Sequence, residues 1–275
     1  MDNETIVLKA ENITKRFPGI VALDKAKFEL KKGEVHALCG ENGAGKSTLL
    51  KILTGLYQKD EGEIYVDGEK VEINGIADAR KHGIYIVPQE MQMDPELSVA
   101  ENVFIGNYPL NKFGLVDWKE MYSRADALKK LLGTNAANLN VRSKVKNLSM
   151  GHKQLIEIMR SMVSENIKII GFDEPTSSLS EEETEQLFKL IDDLKQRGIA
   201  IIYVSHRLNE IFKICDKVTV FRDGRYVDTK YINEIDVNDV IRMMVGREFS
   251  LFGEKKEKSS ISDETVLKVS NYTRS

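Results

Sequence analysis

The order of elements predicts an α/β fold built on a mostly parallel sheet covered on both faces. Three observations carry that prediction. Short apolar runs alternate with helix-like stretches through most of the chain. One of those runs, Val35–Cys39, ends in a glycine-rich turn that opens a helix. A long stretch of helical character, residues 98–160, interrupts the alternation and reads as an insertion into the sheet.

The elements follow in order. Residues 6–11 and 26–30 read as strands. Val35–Cys39 is a third, followed by a helix over residues 46–56. Residues 62–66 and the Asp67-Gly68 turn suggest an antiparallel hairpin. Ile84–Val87 is a strand stopped by Pro88. Within the insertion, Leu155, Ile158, Met159 and Met162 lie on one helical face. Residues 167–172 form a buried strand. Ser180 through Glu183 has the form of a capping box, and Leu187, Leu190, Ile191 and Leu194 stripe the helix it opens. Gly198 ends that helix, and residues 199–205 form the next strand. Leu208–Ile214 is a short helix. Lys217–Arg222, with a turn at Asp223-Gly224, completes the pattern.

At 275 residues the chain holds one large domain or two small ones, on a prior of about 150 residues per domain. A hydrophobic fraction of 41% and a charged fraction of 30% support a buried core rather than a disordered tail. The net charge of −3 gives no support to a general nucleic-acid-binding surface. No apolar run approaches the ~18–20 residues of a membrane span. Met1-Asp2-Asn3-Glu4 lacks the basic and apolar regions of a secretory signal. Cys39 and Cys215 form no CxxC pattern and read as two reduced, buried thiols.

Gly40-Glu41-Asn42-Gly43-Ala44-Gly45-Lys46-Ser47 fits the phosphate-binding loop GxxxxGK[ST], with the required strand before it and helix after it. Such a loop turns successive N–H groups toward phosphate oxygens at a helix N-terminus. Lys46 can reach the β- and γ-phosphates, and the Ser47 hydroxyl can ligate Mg²⁺. A second apolar strand ends in Asp173-Glu174. Asp173 is placed to hold Mg²⁺ through water, and Glu174 to polarise the attacking water.

Five further elements narrow the class. Leu148-Ser149-Met150-Gly151-His152-Lys153-Gln154 opens a helix ahead of the Asp-Glu pair and resembles the LSGGQ signature of ATP-binding-cassette (ABC) ATPases. Gln89 stands where that family has its Q-loop, Ser177-Ser178-Leu179-Ser180 its D-loop and His206 its switch histidine. Phe17 matches its adenine-stacking aromatic. The likeness covers roughly residues 6–248. It implies a P-loop NTPase (RecA-like) core with an antiparallel β subdomain and an inserted helical subdomain at about 91–160, the whole cassette spanning 1–252.

The resemblance also implies roles. Phe17, Gly40, Glu41, Asn42, Gly43, Ala44, Gly45, Lys46, Ser47, Thr48, Gln89 and Asp173 would contact ATP·Mg²⁺, with Ser47, Gln89 and Asp173 on the metal. Lys46, Gln89, Glu174 and His206 would be catalytic. Two cassettes of this family face each other head to tail, so Ser149 and Gly151 would act on ATP held by the partner cassette. Within the family the sequence is most similar to the ATPases of bacterial monosaccharide importers of ribose, galactose/methyl-galactoside and xylose type. Phe17-Pro18-Gly19, His36-Ala37-Leu38, Tyr57-Gln58, the run from Asp173 to Ser178 and Met243-Met244-Val245-Gly246-Arg247 carry that likeness. Residues 106–109, 116–117 and 121–122 look most like the galactose/methyl-galactoside branch.

The expected partners are a second cassette, membrane permease subunits and, indirectly, a sugar-binding protein, at the cytoplasmic face of the membrane and without nucleic acid. ABC ATPases that act on ribosomes carry a long basic linker, whereas residues 253–264 are short and mixed in charge. A regulatory module without turnover is disfavoured by the presence of Lys46, Asp173, Glu174 and His206. Four residues depart from the family pattern: Met150 and His152 in the signature, Gly171 in the strand before Asp173, and Ser180 in the D-loop.

Residues 253–264 read as a linker. Beyond them, Val266-Leu267-Lys268-Val269-Ser270-Asn271-Tyr272-Thr273-Arg274 repeats Val7-Leu8-Lys9-Ala10-Glu11-Asn12-Ile13-Thr14-Lys15 with five identities in nine. Residues 265–275 are therefore expected to begin a second cassette, with about 220–240 further residues to follow.

Overall fold

The computed structural model describes residues 5–89, 92–164 and 166–246. The expected linker and repeat lie outside the described residues, as does Arg247. Strand β1 (Ile6–Phe17) and strand β2 (Ile20–Lys31) extend well past the expected 6–11 and 26–30. The reason is a phase change. Leu8 and Ala10 are buried on one face, but the next buried residue is Ile13. A register shift between Ala10 and Ile13, with Asn12 at φ 52°, inserts the extra residue. A β-bulge of this kind flips the alternation, which then no longer reads as one strand. Lys25, at φ 50°, breaks the pattern of β2 between Leu23 and Ala26 in the same way.

Strand β3 (Val35–Cys39) leads into helix α1 (Lys46–Leu53), which stops three residues before the expected end. Thr54 caps it, and Gly55 at φ 73° turns the chain away in a left-handed conformation. Strands β4 (Glu61–Val66) and β5 (Glu69–Val71) form the expected hairpin, with positive φ at both Asp67 and Gly68. They join β1 and β2 in a four-stranded antiparallel sheet of order β2-β1-β4-β5.

Helix α2 (Ile76–Lys81) and strand β6 (Ile84–Val87) precede the insertion. Residues 98–160 are not continuously helical. Helices α3 (Val99–Phe104), α4 (Trp118–Leu131) and α5 (Met150–Ser161) are separated by loops with short 3₁₀ turns and a Leu110–Val116 bridge. Strand β7 (Ile169–Asp173), helix α6 (Glu181–Gln196), strand β8 (Ala200–Val204) and helix α7 (Leu208–Ile214) follow. Strands β9 (Lys217–Arg222) and β10 (Arg225–Tyr231) and helix α8 (Val237–Val245) close the described chain. The second sheet has the order β10-β9-β3-β8-β7-β6, parallel throughout except for β9–β10.

Alternation within the parallel strands divides the interior in two. Val35, Ala37, Ile201, Tyr203, Ile170 and Phe172 face the core shared with the inserted helices and α6. Leu38, Ala200, Ile202, Val204 and Ile169 face α1 and the antiparallel sheet. Because β3 and β8 are buried along their full length, they read as plain apolar runs. At Gly171 a Cβ would meet the Cδ1 end of the Ile86 side chain on the neighbouring strand, which now fills that space. Cys39 and Cys215 are free and buried; burial pushes the Cys39 thiol up to about 12. No helix among the described residues is long and apolar enough to cross a membrane.

The expected capping box at α6 is present. Glu183 N–H donates to Ser180 Oγ at 3.2 Å, and Ser180 N–H donates to Glu183 Oε2 at 3.2 Å. Ser180→Ala is expected to lower stability by about 1 kcal/mol. Denaturant unfolding checks this, as a lower midpoint at unchanged slope.

Candidate functional site

In the second sheet, β3, β8, β7 and β6 are consecutive and parallel, so their carboxyl ends share one edge. Ligands of open α/β sheets bind outside such an edge. β3 delivers the loop 40–45, β8 delivers Ser205 and His206, β7 delivers Asp173 and Glu174, and β6 delivers Gln89. Residues scattered over 160 positions of sequence are thereby brought together by strand order.

The loop is pinned by its own lysine. Lys46 Nζ donates to Gly40 O at 2.8 Å and to Glu41 O at 3.0 Å. Gly45 caps α1 at φ 96°, where a side chain would be strained and would also meet Leu23 and the Ala22 carbonyl. Burial pulls the Lys46 ammonium below the usual lysine range, while Cys39, Glu174 and Asp173 oppose part of that shift. Ser47 is exposed at the first turn of α1, and its Oγ lies 3.4 Å from Asp173 Oδ1. Burial raises the Asp173 carboxyl above the usual range; the Ser47 hydrogen bond opposes this and Glu174 adds to it. Thr48 follows within α1 and is half-buried.

Glu174 is the centre of a second cluster. His206 Nδ1 lies 3.1 Å from Glu174 Oε1, and Gln89 Nε2 donates to Glu174 Oε2 at 3.4 Å. The Glu174 backbone is left-handed, at φ 49°, and its N–H donates to Val204 O at 2.9 Å. Non-glycine residues in this region cost about 1–3 kcal/mol and persist only where surroundings over-determine them. Lys46, Ser47, Asp173, Glu174, Gln89 and His206 thus form one linked group.

Two predicted elements lie apart from it. Phe17 ends β1, half-buried, with its ring 5.2 Å edge-on from Tyr57 and 5.5 Å from Lys15 Nζ. Ser149 is the N-cap of α5; its Oγ accepts from His152 N–H at 3.4 Å and lies 3.1 Å from His152 Nδ1. Gly151 N–H donates to Glu183 Oε1 at 3.1 Å. These residues line their own cavity of about 220 Å³, with Gln186 and Leu187 opposite. Met150 is the first helical residue of α5 and has no positive φ, so the backbone there does not require glycine.

The sequence reading missed a buried acid behind the cluster. Glu210 of α7 is 8% exposed and accepts from Thr176, Tyr203, Ser205 and Arg207. Gln154 of α5 also donates to the carbonyl of Pro175, next to Glu174. Neither contact leaves a periodic signal. Four residues after His206 in a short helix was the only available cue.

Fold and loop together define a nucleoside-triphosphate-binding α/β protein. Residues 23–177 match the ABC transporter family, and the chain belongs to it. It is 46% identical over 268 residues to the galactose/methyl galactoside import ATP-binding protein of Haemophilus influenzae, covering 98% of this chain and 52% of that protein. Identity is 45% to the ribose import ATP-binding protein of Caldanaerobacter subterraneus, covering 97% and 53%. It is also 45% to the xylose import ATP-binding protein of Thermoanaerobacter pseudethanolicus, covering 97% and 52%. The chain spans about half the length of these relatives. Among solved structures, the ADP conformation of an ATP-binding cassette superposes with a TM-score of 0.75 at 27% identity, covering 88% of this chain and 99% of that one. A dimeric post-hydrolysis cassette bound to ADP and Pi gives 0.67 at 27% identity, covering 82% and 98%.

Proposed function

We propose that this chain is the ATP-binding and ATP-hydrolysing cassette of a bacterial monosaccharide importer, of ribose or galactose/methyl-galactoside type. The observation that carries the reading is the convergence of Lys46, Ser47, Asp173, Glu174, Gln89 and His206 on one sheet edge. The names of the relatives supply the cargo class.

ATP would lie over the loop 40–48, with its phosphates taking the place of the Gly40 and Glu41 carbonyls as partners of Lys46. Phe17 is proposed as the adenine contact. The oxygen donors of Ser47 and Asp173, close together beside a second carboxylate, suit Mg²⁺, which binds through few protein oxygens plus phosphates. Ser47, Asp173 and Gln89 would hold it, and when bound it neutralises charge on the β- and γ-phosphate oxygens. Glu174 polarises a water and accepts its proton. His206 steadies the Glu174 carboxylate from one side and Gln89 from the other. Phosphoryl transfer depends on such positioning and charge neutralisation more than on covalent steps.

Ser149 and Gly151 lie away from the chain's own loop, which supports a head-to-tail pairing in which they meet the nucleotide of a second cassette. That a related cassette bound to ADP and Pi is dimeric supports the pairing of two cassettes. That second cassette would be a further domain of the natural protein or a second copy, docked on permease subunits at the cytoplasmic face of the membrane. Gln89 borders the inserted helices and would pass the state of the γ-phosphate to the permease.

The test is turnover with and without a partner. The 275-residue chain alone is expected to bind ATP·Mg²⁺ and hydrolyse it slowly. The protein with its partner cassette and permease in vesicles is expected to hydrolyse faster and to take up labelled ribose or galactose. Fast hydrolysis by a chain that sediments as a strict monomer would contradict the shared site. Absence of sugar uptake would remove the cargo assignment.

A further inference from the structure

We propose that Glu210 is a positioning residue for the reaction, holding the loops of Glu174 and His206 in fixed relation through one buried carboxylate. The inference rests on the roles given to Glu174 and His206 above.

An isolated buried carboxylate costs several kcal/mol unless it is paired and hydrogen-bonded. Here four donors converge on it. Thr176 Oγ1 lies 2.7 Å from Glu210 Oε1 and 2.9 Å from Oε2. Tyr203 Oη donates to Oε2 at 2.8 Å, Ser205 Oγ to Oε2 at 3.1 Å, and Arg207 Nη1 to Oε1 at 3.3 Å. These donors come from both sides of the reacting pair. Thr176 lies two residues past Glu174, in the loop that leaves β7. Ser205 and Arg207 flank His206 directly, and Ser205 Oγ also accepts the Arg207 N–H at 3.0 Å.

His206 itself is 56% exposed at its side chain and makes its contact to Glu174 from the surface. Its direction is therefore set by backbone on either side, and both flanking residues are tied to Glu210. Sheet pairing ends at Asp173 and Val204, one residue short of Glu174 and two short of His206. Beyond that point Glu210 is a buried group bonded to both loops, beside the direct contact of His206 with Glu174. It also helps to hold the left-handed turn at Glu174, together with the Glu174 N–H bond to Val204 and the Gln154 bond to Pro175. Glu210 touches neither Glu174 nor Lys46 in any of these contacts, so its effect is exerted through His206 and the turn.

The experiment is a double-mutant cycle in the full-length protein with ATP·Mg²⁺. Glu210→Gln keeps shape but removes the charge that draws the four donors together. It is expected to lower kcat about tenfold with KM for ATP changed less than about twofold, the pattern of a lost transition-state arrangement. In a His206→Ala background the same substitution is expected to lower kcat only about threefold, because the route through His206 is gone while the hold on the Glu174 turn remains, and residues acting as one unit are not additive. Ser205→Ala leaves the Glu210 carboxylate in place and removes one of its four donors. It is expected to lower kcat about threefold and to lose that effect in the His206→Ala background. A Glu210→Gln protein at full rate beside a slow His206→Ala protein overturns the inference alone. So do losses that multiply in the double variant. A His206→Ala protein at full rate overturns the catalytic reading of His206, and the inference with it.

Discussion

Lys46→Ala is expected to reduce ATP hydrolysis by about 10²–10³-fold, the loss typical of removing one preorganised charge-stabilising donor. ATP affinity should fall in parallel. The reasoning begins in the ligand-free loop. The ammonium of Lys46 is buried and donates to two loop carbonyls, Gly40 O and Glu41 O. Burial already works against its charge, so the group is poised for a strongly anionic partner. Polyphosphate is such a partner; alanine leaves its β- and γ-oxygens without a counter-charge and leaves the loop carbonyls without a donor. The fold should survive, since α1 keeps its apolar face of Leu49, Leu50, Ile52 and Leu53 in the core. The measurement is nucleotide titration and turnover on protein whose circular dichroism matches the parent. Turnover within a few-fold of the parent would remove the loop from the site.

The site was legible in the sequence to the extent that its parts are local. A glycine-rich turn between strand and helix is a contiguous pattern, and so is a carboxylate pair at a strand end. Their assembly was legible only through the resemblance to a family, because strand order is set by non-local pairing. Nothing in Ile84–Val87 or Ala200–Val204 says that β6 and β8 both pair with β7. The element ends failed where one residue changes the period. Asn12 and Lys25, both at positive φ, hid half of β1 and β2 from a reading based on strict alternation. The sequence pattern carries helix α1 three residues too far because Leu56 continues the apolar composition, while the stop lies in the left-handed Gly55. The insertion reads as helical throughout only if the turn residues Gly106, Pro109 and Gly114 of its longest loop are passed over, because apolar residues such as Leu110, Phe113 and Leu115 continue through them. Glu210 was invisible for another reason. A buried acid in a short helix looks like a solvated one until Thr176, 34 residues upstream, is seen against it.

Two of the departures from the family pattern have defined surroundings. Gly171 makes room for the side chain of Ile86, and Ser180 caps α6 through a reciprocal pair with Glu183. His152 is engaged with Ser149. In the reading proposed here that contact belongs to the half of the site offered to a partner, whereas the group around Lys46 and Glu174 is complete within the chain.

Glu174→Gln is expected to separate binding from hydrolysis. Nucleotide affinity should stay within a few-fold of the parent, while hydrolysis falls by about 10²–10⁴-fold, the usual contribution of a general base. The substitution is nearly isosteric. The side-chain oxygen can still meet His206 Nδ1, now 3.1 Å from Oε1, and the backbone N–H bond to Val204 O is untouched. The left-handed turn at φ 49° is no more strained for glutamine than for glutamate. What disappears is the negative charge that, in the proposed mechanism, polarises a water and accepts its proton. Lys46, Ser47 and Asp173, which would hold the phosphates and the metal ion, remain. The variant should therefore bind ATP and stall with it bound, and two cassettes should stay associated for longer than in the parent. Single-turnover hydrolysis and ATP-dependent sedimentation of the full-length protein measure the two halves separately. Hydrolysis at the parent rate would mean that another group prepares the water. Loss of binding together with hydrolysis would mean that Glu174 holds the nucleotide rather than the reacting water.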